Sequence, residues 1–320
     1  MLIVQKFGGS SLADAERLRH AAEISLRSRR AGNEVVVVVS AMGESTDELL
    51  RLAQEIAPAP SPREMDALLS TGEQQSAALF AITLESLGQQ ARSFSGWQAG
   101  LIADGDHGDG RLDWMLPGRV LAALEAGQIA VVSGFQAVNP AGDVITLGRG
   151  GSDTTAVALA AGLSADRCEI YTDVDGIYTA DPRLVPEARR LPEIDSRDML
   201  RLARAGSQVL HDRSVELALH SGVEIRLLSS FSPGEGSLVR LLPDESRPGL
   251  AGLTRDAATG TVTLVGRAAN AATLSAVVLA LAEEDIPVLD GAVGESSVSV
   301  RVPPERLSEA LLLIHRRMLL

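Results

Sequence analysis

Residues 146–163 read TLGRGGSDTTAVALAAGL. A short apolar stretch runs into Arg149, Gly150, Gly151, Ser152 and Asp153, and a helical pattern follows with Thr154 and Thr155 in its first turn. Strand, glycine turn and helix in that order are half of a βα unit. Free N–H groups and hydroxyls at such a helix start suit an anion, and Arg149 adds a fork that fits a carboxylate. Asp153 cannot hold phosphate itself, so it reads either as a group that orients a nearby cation or as a plain helix cap.

The same pattern recurs outward from this stretch. Residues 2–7 read as a strand, and GGSSLADAERLRHAAEISL continues it through a glycine turn into a helix. NEVVVVVSAMG, 33–43, is apolar on both faces, as a parallel strand covered by helices must be. A Pro-rich connection, APAPSPRE, precedes a helix over roughly 64–87, and QIAVVSGF, VITLG, CEIYTDV and VEIRLLSS give further strands. The alternation predicts an α/β protein with an open, mostly parallel sheet sandwiched by helices. LPDESRPG, 242–249, marks a boundary, after which the pattern runs β, α, β, β, α, with GLAGLTR as a candidate extra strand. Two domains follow: 1–245, and a small α+β unit over 250–320.

Composition narrows the function. A net charge of −13 argues against a nucleic-acid partner, no apolar run reaches a membrane span, and Met1 leads straight into a strand, so a cytoplasmic protein without a membrane partner is expected. The single cysteine, Cys168, and five unclustered histidines offer no metal site, and His211 reads as structural. Among 29 lysines and arginines only Lys6 is lysine, and one residue separates it from Gly8 and Gly9. KFGG is not the P-loop pattern, so a plain strand-to-helix turn is the competing reading. In a chain that otherwise uses arginine, a lone ammonium beside two glycines fits a compact charge placed on a phosphoryl oxygen.

EIYTDVDGIYTADPR, 169–183, holds both tyrosines, Tyr171 and Tyr178, and could line a nucleotide pocket or form a packed hairpin. Glu73 in LLSTGEQQSAAL and Thr46 in SAMGESTDELL read either as ligand groups or as helix-start residues.

Taken together and in order, KFGGSS, SAMGESTDEL, STGEQQS, WQAG, VVSGFQAVNPAGDVITLGRGGSDTTAVALAAGL, CEIYTDVDGIYTADPR and VLHDRSVELA closely resemble the aspartate kinases of the amino acid kinase family, over residues 1 to about 240. The resemblance implies transfer of the γ-phosphoryl of MgATP to the β-carboxylate of L-aspartate, the first step of the aspartate-derived pathway toward lysine and threonine. It implies that Lys6 neutralises the transferring phosphoryl and Asp153 organises the charged groups. Ser40, Thr46, Glu73, Arg149 and Ser152 match aspartate-holding positions. Gly8, Gly9, Ser10, Thr172, Asp173, Tyr178, Arg183 and Gln208 match the ATP site, with Mg2+ bound through the nucleotide. No protein metal ligand is implied.

The chain departs from the family pattern at Gln208, where many members carry lysine, at Asp212 in place of a common proline, and at Ile145 in place of a frequent threonine. The family usually carries two C-terminal ACT modules, and residues 250–320 have room for one, expected to join two chains into a homodimer. GRAANAATL lacks the Pro-Gly common at that module's first helix, so weak or absent feedback inhibition by lysine or threonine is expected. Two other functions stay open: a kinase-like regulatory subunit with little turnover, and a kinase for another acidic substrate.

Overall fold

A computed structural model describes residues 1–320. In chain order the elements are β1 (Leu2–Phe7), α1 (Ala15–Arg30), β2 (Glu34–Val39), α2 (Ser45–Ile56), α3 (Pro62–Ser86), β3 (Ala91–Phe94), β4 (Leu101–Asp104), β5 (Arg111–Met115), α4 (Gly118–Glu125), β6 (Ile129–Ser133), β7 (Gln136–Val138), β8 (Val144–Thr146), α5 (Gly151–Gly162) and β9 (Arg167–Thr172). There follow β10 (Ile177–Tyr178), β11 (Arg190–Leu191), β12 (Glu193–Asp195), α6 (Ser196–Arg204), α7 (Asp212–Ser221), β13 (Ile225–Ser229), β14 (Ser237–Arg240), β15 (Gly252–Asp256), β16 (Thr261–Val265), α8 (Ala271–Glu283), β17 (Asp290–Gly294), β18 (Ser297–Arg301) and α9 (Leu307–Met318). No helix is long and apolar enough to cross a membrane.

The chain forms two compact units, Met1–Asp175 with His220–Gly234, and Gly176–Leu219 with Glu235–Leu320. In the first, six strands pair in parallel in the order β13-β9-β1-β2-β6-β3. Every valine of β2 is buried, because helices cover both faces. Phe7, Val35, Val37 and Val39 pack with Leu18, Ala22, Ala77 and Phe80 of α1 and α3, while α5 packs on the other face. Side chains alternate along a strand, so Phe7 takes the α1/α3 face and Lys6 takes the α5 face. That parity delivers the lone lysine to α5.

One strand lies elsewhere than the sequence pattern suggested. Residues 144–146 leave the parallel sheet and pair antiparallel with β7 in a four-stranded side sheet ordered β5-β4-β7-β8. The reason is the short Asn139–Gly142 turn, whose hydrogen bond (2.9 Å) folds the chain straight back on β7.

In the second unit β10 pairs antiparallel with β11, β12 pairs parallel with β14, and residues 252–301 form an antiparallel sheet ordered β15-β16-β18-β17. GLAGLTR does supply the extra strand, β15. Leu264, Val298 and Val300 pack with Val277 and Leu281 of α8 and with Leu311 and Ile314 of α9. Residues 176–219, which the sequence division at 245–250 places in the first domain, belong to this unit. Leu253 N donates to Thr179 O at 2.8 Å, and Thr179 Oγ1 lies 2.9 Å from His315 Nε2.

Candidate active site

The site grows from the C-terminal ends of the parallel strands, where the peptide ladder runs on into loops. Ser40 N donates to Phe7 O (3.1 Å), Gly134 N to Val39 O (3.0 Å), Gly8 N to Tyr171 O (3.2 Å) and Ser230 N to Thr172 O (2.9 Å). Gly8, Gly9 and Ser10 form the turn after β1, with Ser10 exposed. A Cβ on Gly9 would sit 2.8 Å from Ala41 O, so only glycine lets this turn lie against the loop after β2.

Lys6 Nζ stands 2.7 Å from Asp153 Oδ1, with both side chains only about a tenth exposed. A charged pair so withdrawn from water is screened little by solvent, and each partner fixes the other's position. Asp153 therefore faces a cation on the strand beneath α5; the cap of α5 is the backbone of Gly150, which makes no side-chain bond. Beside it Thr155 Oγ1 donates to Gly151 O (2.8 Å) and accepts from Phe135 N (3.2 Å).

Glu73 lies in the middle of the 25-residue helix α3, about three turns past its start, so dipole complementarity at a helix N-terminus does not explain it. Gly72 before it lets the helix come close: a Cβ there would meet Ala41 Cβ at 3.0 Å. Glu73 Oε1 accepts from Ala41 N (3.1 Å), whereas Oε2 is buried without a partner. The residue is 4% exposed. Burial pushes its carboxyl up to about 7, against the opposing pull of the Ala41 N–H and of Lys6. A buried oxygen with no partner beside a polar loop suits a ligand cation such as an ammonium.

Ser152 is 8% exposed and lies against Gly134, where a Cβ would come 2.7 Å from Ser152 Oγ and 3.0 Å from its Cα. Arg149 is exposed in the turn before α5 and forms no ion pair. Thr46 sits half-buried in the first turn of α2, and no side chain caps that helix. Thr172 ends β9 and donates to Asp173 Oδ1 at 3.0 Å. These positions all belong to the first unit.

The remaining predicted residues belong to the second unit. Tyr178 lies on β10, and Gln208 is exposed in the loop between α6 and α7. Arg183 grips Asp181 through two nitrogens (3.0 and 2.8 Å) and holds that carboxyl below the usual carboxylate range. Tyr171 stacks on Phe7, ring centroids 4.8 Å apart, and Cys168 is fully buried in β9 with its thiol pushed far up by desolvation, so neither is a reactive group.

Phe135 was not singled out from the sequence. It is held at φ 67°, a region bulky side chains rarely adopt, between Gly134 and the side-sheet strand β7. Its carbonyl accepts from Leu147 N (2.9 Å) and its N–H bonds Thr155, so the strained residue ties β6 to the Arg149 turn.

A lysine fixed by a carboxylate, a glycine turn and an open helix start stand together at the C-terminal ends of a parallel sheet, an arrangement that suits an anion. The chain belongs to the amino acid kinase family, whose profile matches residues 1–229. Within that family its similarity runs to aspartokinases. It is 52% identical over 292 residues to the aspartokinase of Mycolicibacterium smegmatis, covering 90% of this chain and 69% of that protein. The aspartate kinase structure from Synechocystis matches at TM-score 0.68 and 41% identity, over 98% of this chain and 54% of that one. E. coli aspartokinase III, solved with aspartate and ADP, matches at TM-score 0.73 and 28% identity, over 94% and 78%. The chain thus spans about half the length of the Synechocystis protein and 69% of the mycobacterial one. The open parallel sheet between helices is the fold expected from the sequence.

Proposed function

We propose that this chain transfers the γ-phosphoryl group of ATP to the β-carboxylate of L-aspartate, yielding β-aspartyl phosphate and ADP. The observation that carries the reading is the Lys6–Asp153 pair, 2.7 Å long, set between a glycine turn and the start of α5. A carboxylate acceptor is already deprotonated at neutral pH, so the reaction needs no general base. It needs two anions brought together, and the Lys6 ammonium supplies the charge where they meet. Asp153 holds that ammonium in place.

Arg149 and Ser152 hold the acceptor's α-carboxylate, Glu73 takes its α-ammonium on Oε2, and Ser40 and Thr46 complete the pocket. Gly8, Gly9, Ser10, Thr172, Asp173, Tyr178, Arg183 and Gln208 serve the nucleotide, and Mg2+ accompanies it through the phosphates. An acceptor acylated on nitrogen has no ammonium for Glu73, which favours a free amino acid. Catalysis is assigned to residues 1–245. Residues 250–320 are assigned to association with a second copy and to weak or no feedback control by lysine or threonine, in a cytoplasmic enzyme of amino acid biosynthesis.

ATP-dependent hydroxamate formation, measured in parallel with aspartate, glutamate and N-acetylglutamate, tests the reading. Turnover with aspartate far above the other two is the expected result. Turnover with none of them, or with N-acetylglutamate alone, removes it.

A further inference from the structure

Helix α3 presents more than Glu73. Two turns earlier on the same helix stands Asp66, 1% exposed, with no arginine or lysine paired to it. Its Oδ1 accepts from Thr146 Oγ1 at 2.5 Å; its Oδ2 accepts from Gly108 N at 3.0 Å and lies 2.7 Å from His107 Nδ1. A carboxylate is buried at this depth only where donors surround it. These donors come from two separate segments, the end of β8 and the loop joining β4 to β5. One turn further along α3, Gln136 Nε2 donates to Ser70 O (2.8 Å), and Gln74 Nε2 donates to Gln136 Oε1 (3.2 Å). The polar side of α3 is thereby fastened to β7 and β8 at successive turns.

The covalent path from this node to the site is short on both sides. Asp66 and Glu73 are seven residues apart, about 10.5 Å along one rigid helix and close to the same face. Thr146 precedes Arg149 by three residues. We infer that Asp66, bonded to Thr146 and His107, is a positioning residue that sets the spacing between Glu73 and Arg149, and so between the groups that receive the acceptor's ammonium and carboxylate. This rests on the acceptor assignment made above. A bifunctional ligand gripped at both ends is sensitive to that spacing, whereas the nucleotide, held at the ends of β1 and β9, is not.

Thr146→Val keeps the side-chain shape and removes the donor; Thr146→Ser keeps the donor. The full chain is assayed for wild type and both variants, with KM for aspartate, KM for ATP and the melting temperature measured together. The expected result is a rise of about tenfold or more in KM for aspartate in Thr146→Val, with KM for ATP within about twofold and Thr146→Ser close to wild type. His107→Ala shifts KM for aspartate in the same direction by less, since Gly108 N still serves Oδ2. An unchanged KM for aspartate in Thr146→Val overturns the inference, as does a parallel rise in both KM values with a lowered melting temperature, the mark of general loosening. If wild type does not phosphorylate aspartate, the acceptor assignment falls and takes this inference with it; normal wild-type turnover with a flat Thr146→Val response removes the positioning role alone.

Discussion

Two side chains on opposite sides of the site carry opposite electrostatic problems. Lys6 is stabilised by Asp153, and its charge is compact. Guanidinium is larger and planar, so Lys6→Arg is expected to lower kcat by about 10²–10³ while the melting curve stays near that of wild type. Glu73 is the reverse case, a carboxyl that burial holds near 7. Below about 4.5 it is protonated in folded and unfolded chains alike; as pH rises toward 7 the unfolded chain sheds the proton first, so unliganded stability falls across that window and then levels off. Glu73→Gln removes the buried charge and keeps an oxygen for Ala41 N. It is expected to stabilise the unliganded protein at pH 8 by about 1–3 kcal/mol, read by denaturant unfolding, while raising KM for aspartate much more than KM for ATP. Aspartate's ammonium needs the ionised form, so KM for aspartate is expected to rise about tenfold between pH 8 and pH 6 in wild type and to stay flat in Glu73→Gln. A wild-type KM that does not move over that range would show that Glu73 does not meet the ammonium. For Asp153 the sequence allowed two readings, a group that orients a cation or a plain helix cap, and the chain's single lysine beside a glycine turn supplied the cation for the first. The backbone of Phe135 was not, since φ is imposed by the loop around a residue and leaves no trace in its identity.

Among the elements, the long parallel strands announced themselves, because a strand covered on both faces must be apolar throughout. The side sheet did not. β5 is largely exposed and β7 and β8 have three residues each, too short for a period of two to stand out. Helix α3 was foreseen nearly to its ends, and of the two readings left open for Glu73, ligand group or helix-start residue, its mid-helix place removes the second; Gly72 before it serves close packing on Ala41. The contact of β6 with α5 is equally tight at Gly134. Gly134→Ala is expected to cost about 1–3 kcal/mol in unfolding free energy and to weaken aspartate binding, since the new methyl meets Ser152 Cα at 3.0 Å, backbone that cannot swing aside. In the C-terminal part, the segment lacking Pro-Gly has its own device: Asn270 Oδ1 accepts from Ala272 N (2.9 Å) and Thr273 N (3.3 Å) and caps α8. Asn270→Ala is expected to destabilise by about 1 kcal/mol with kcat unchanged.

At the scale of the whole molecule, the domain boundary was the least legible feature. Sequence composition shifts near 245, but compactness joins 176–219 to the C-terminal sheet through backbone bonds such as Leu253 to Thr179, which no composition shift records. That unit also leaves apolar groups in water: Leu279 is 65% exposed, Leu289 54% and Val293 47%, the last on the edge strand β17, whose five residues are all exposed. A second copy of the chain covering them fits the association proposed above. Sedimentation at micromolar concentration is expected to give a dimer, and Val293→Asp to shift it toward monomer; a wild-type monomer under those conditions would refute the association. Feedback by millimolar lysine, threonine or both is expected to be weak.

The pairing of Lys6 with Asp153 has a consequence for chemistry outside catalysis. With no other lysine in the chain, an amine-reactive acylating reagent finds one side-chain target besides the N-terminal amine, and that target is nine-tenths shielded. Intact mass spectrometry then becomes a direct occupancy meter. Acylation of Lys6 is expected to be slow in the native chain, slower still with nucleotide bound, and complete once Asp153→Asn releases the ammonium.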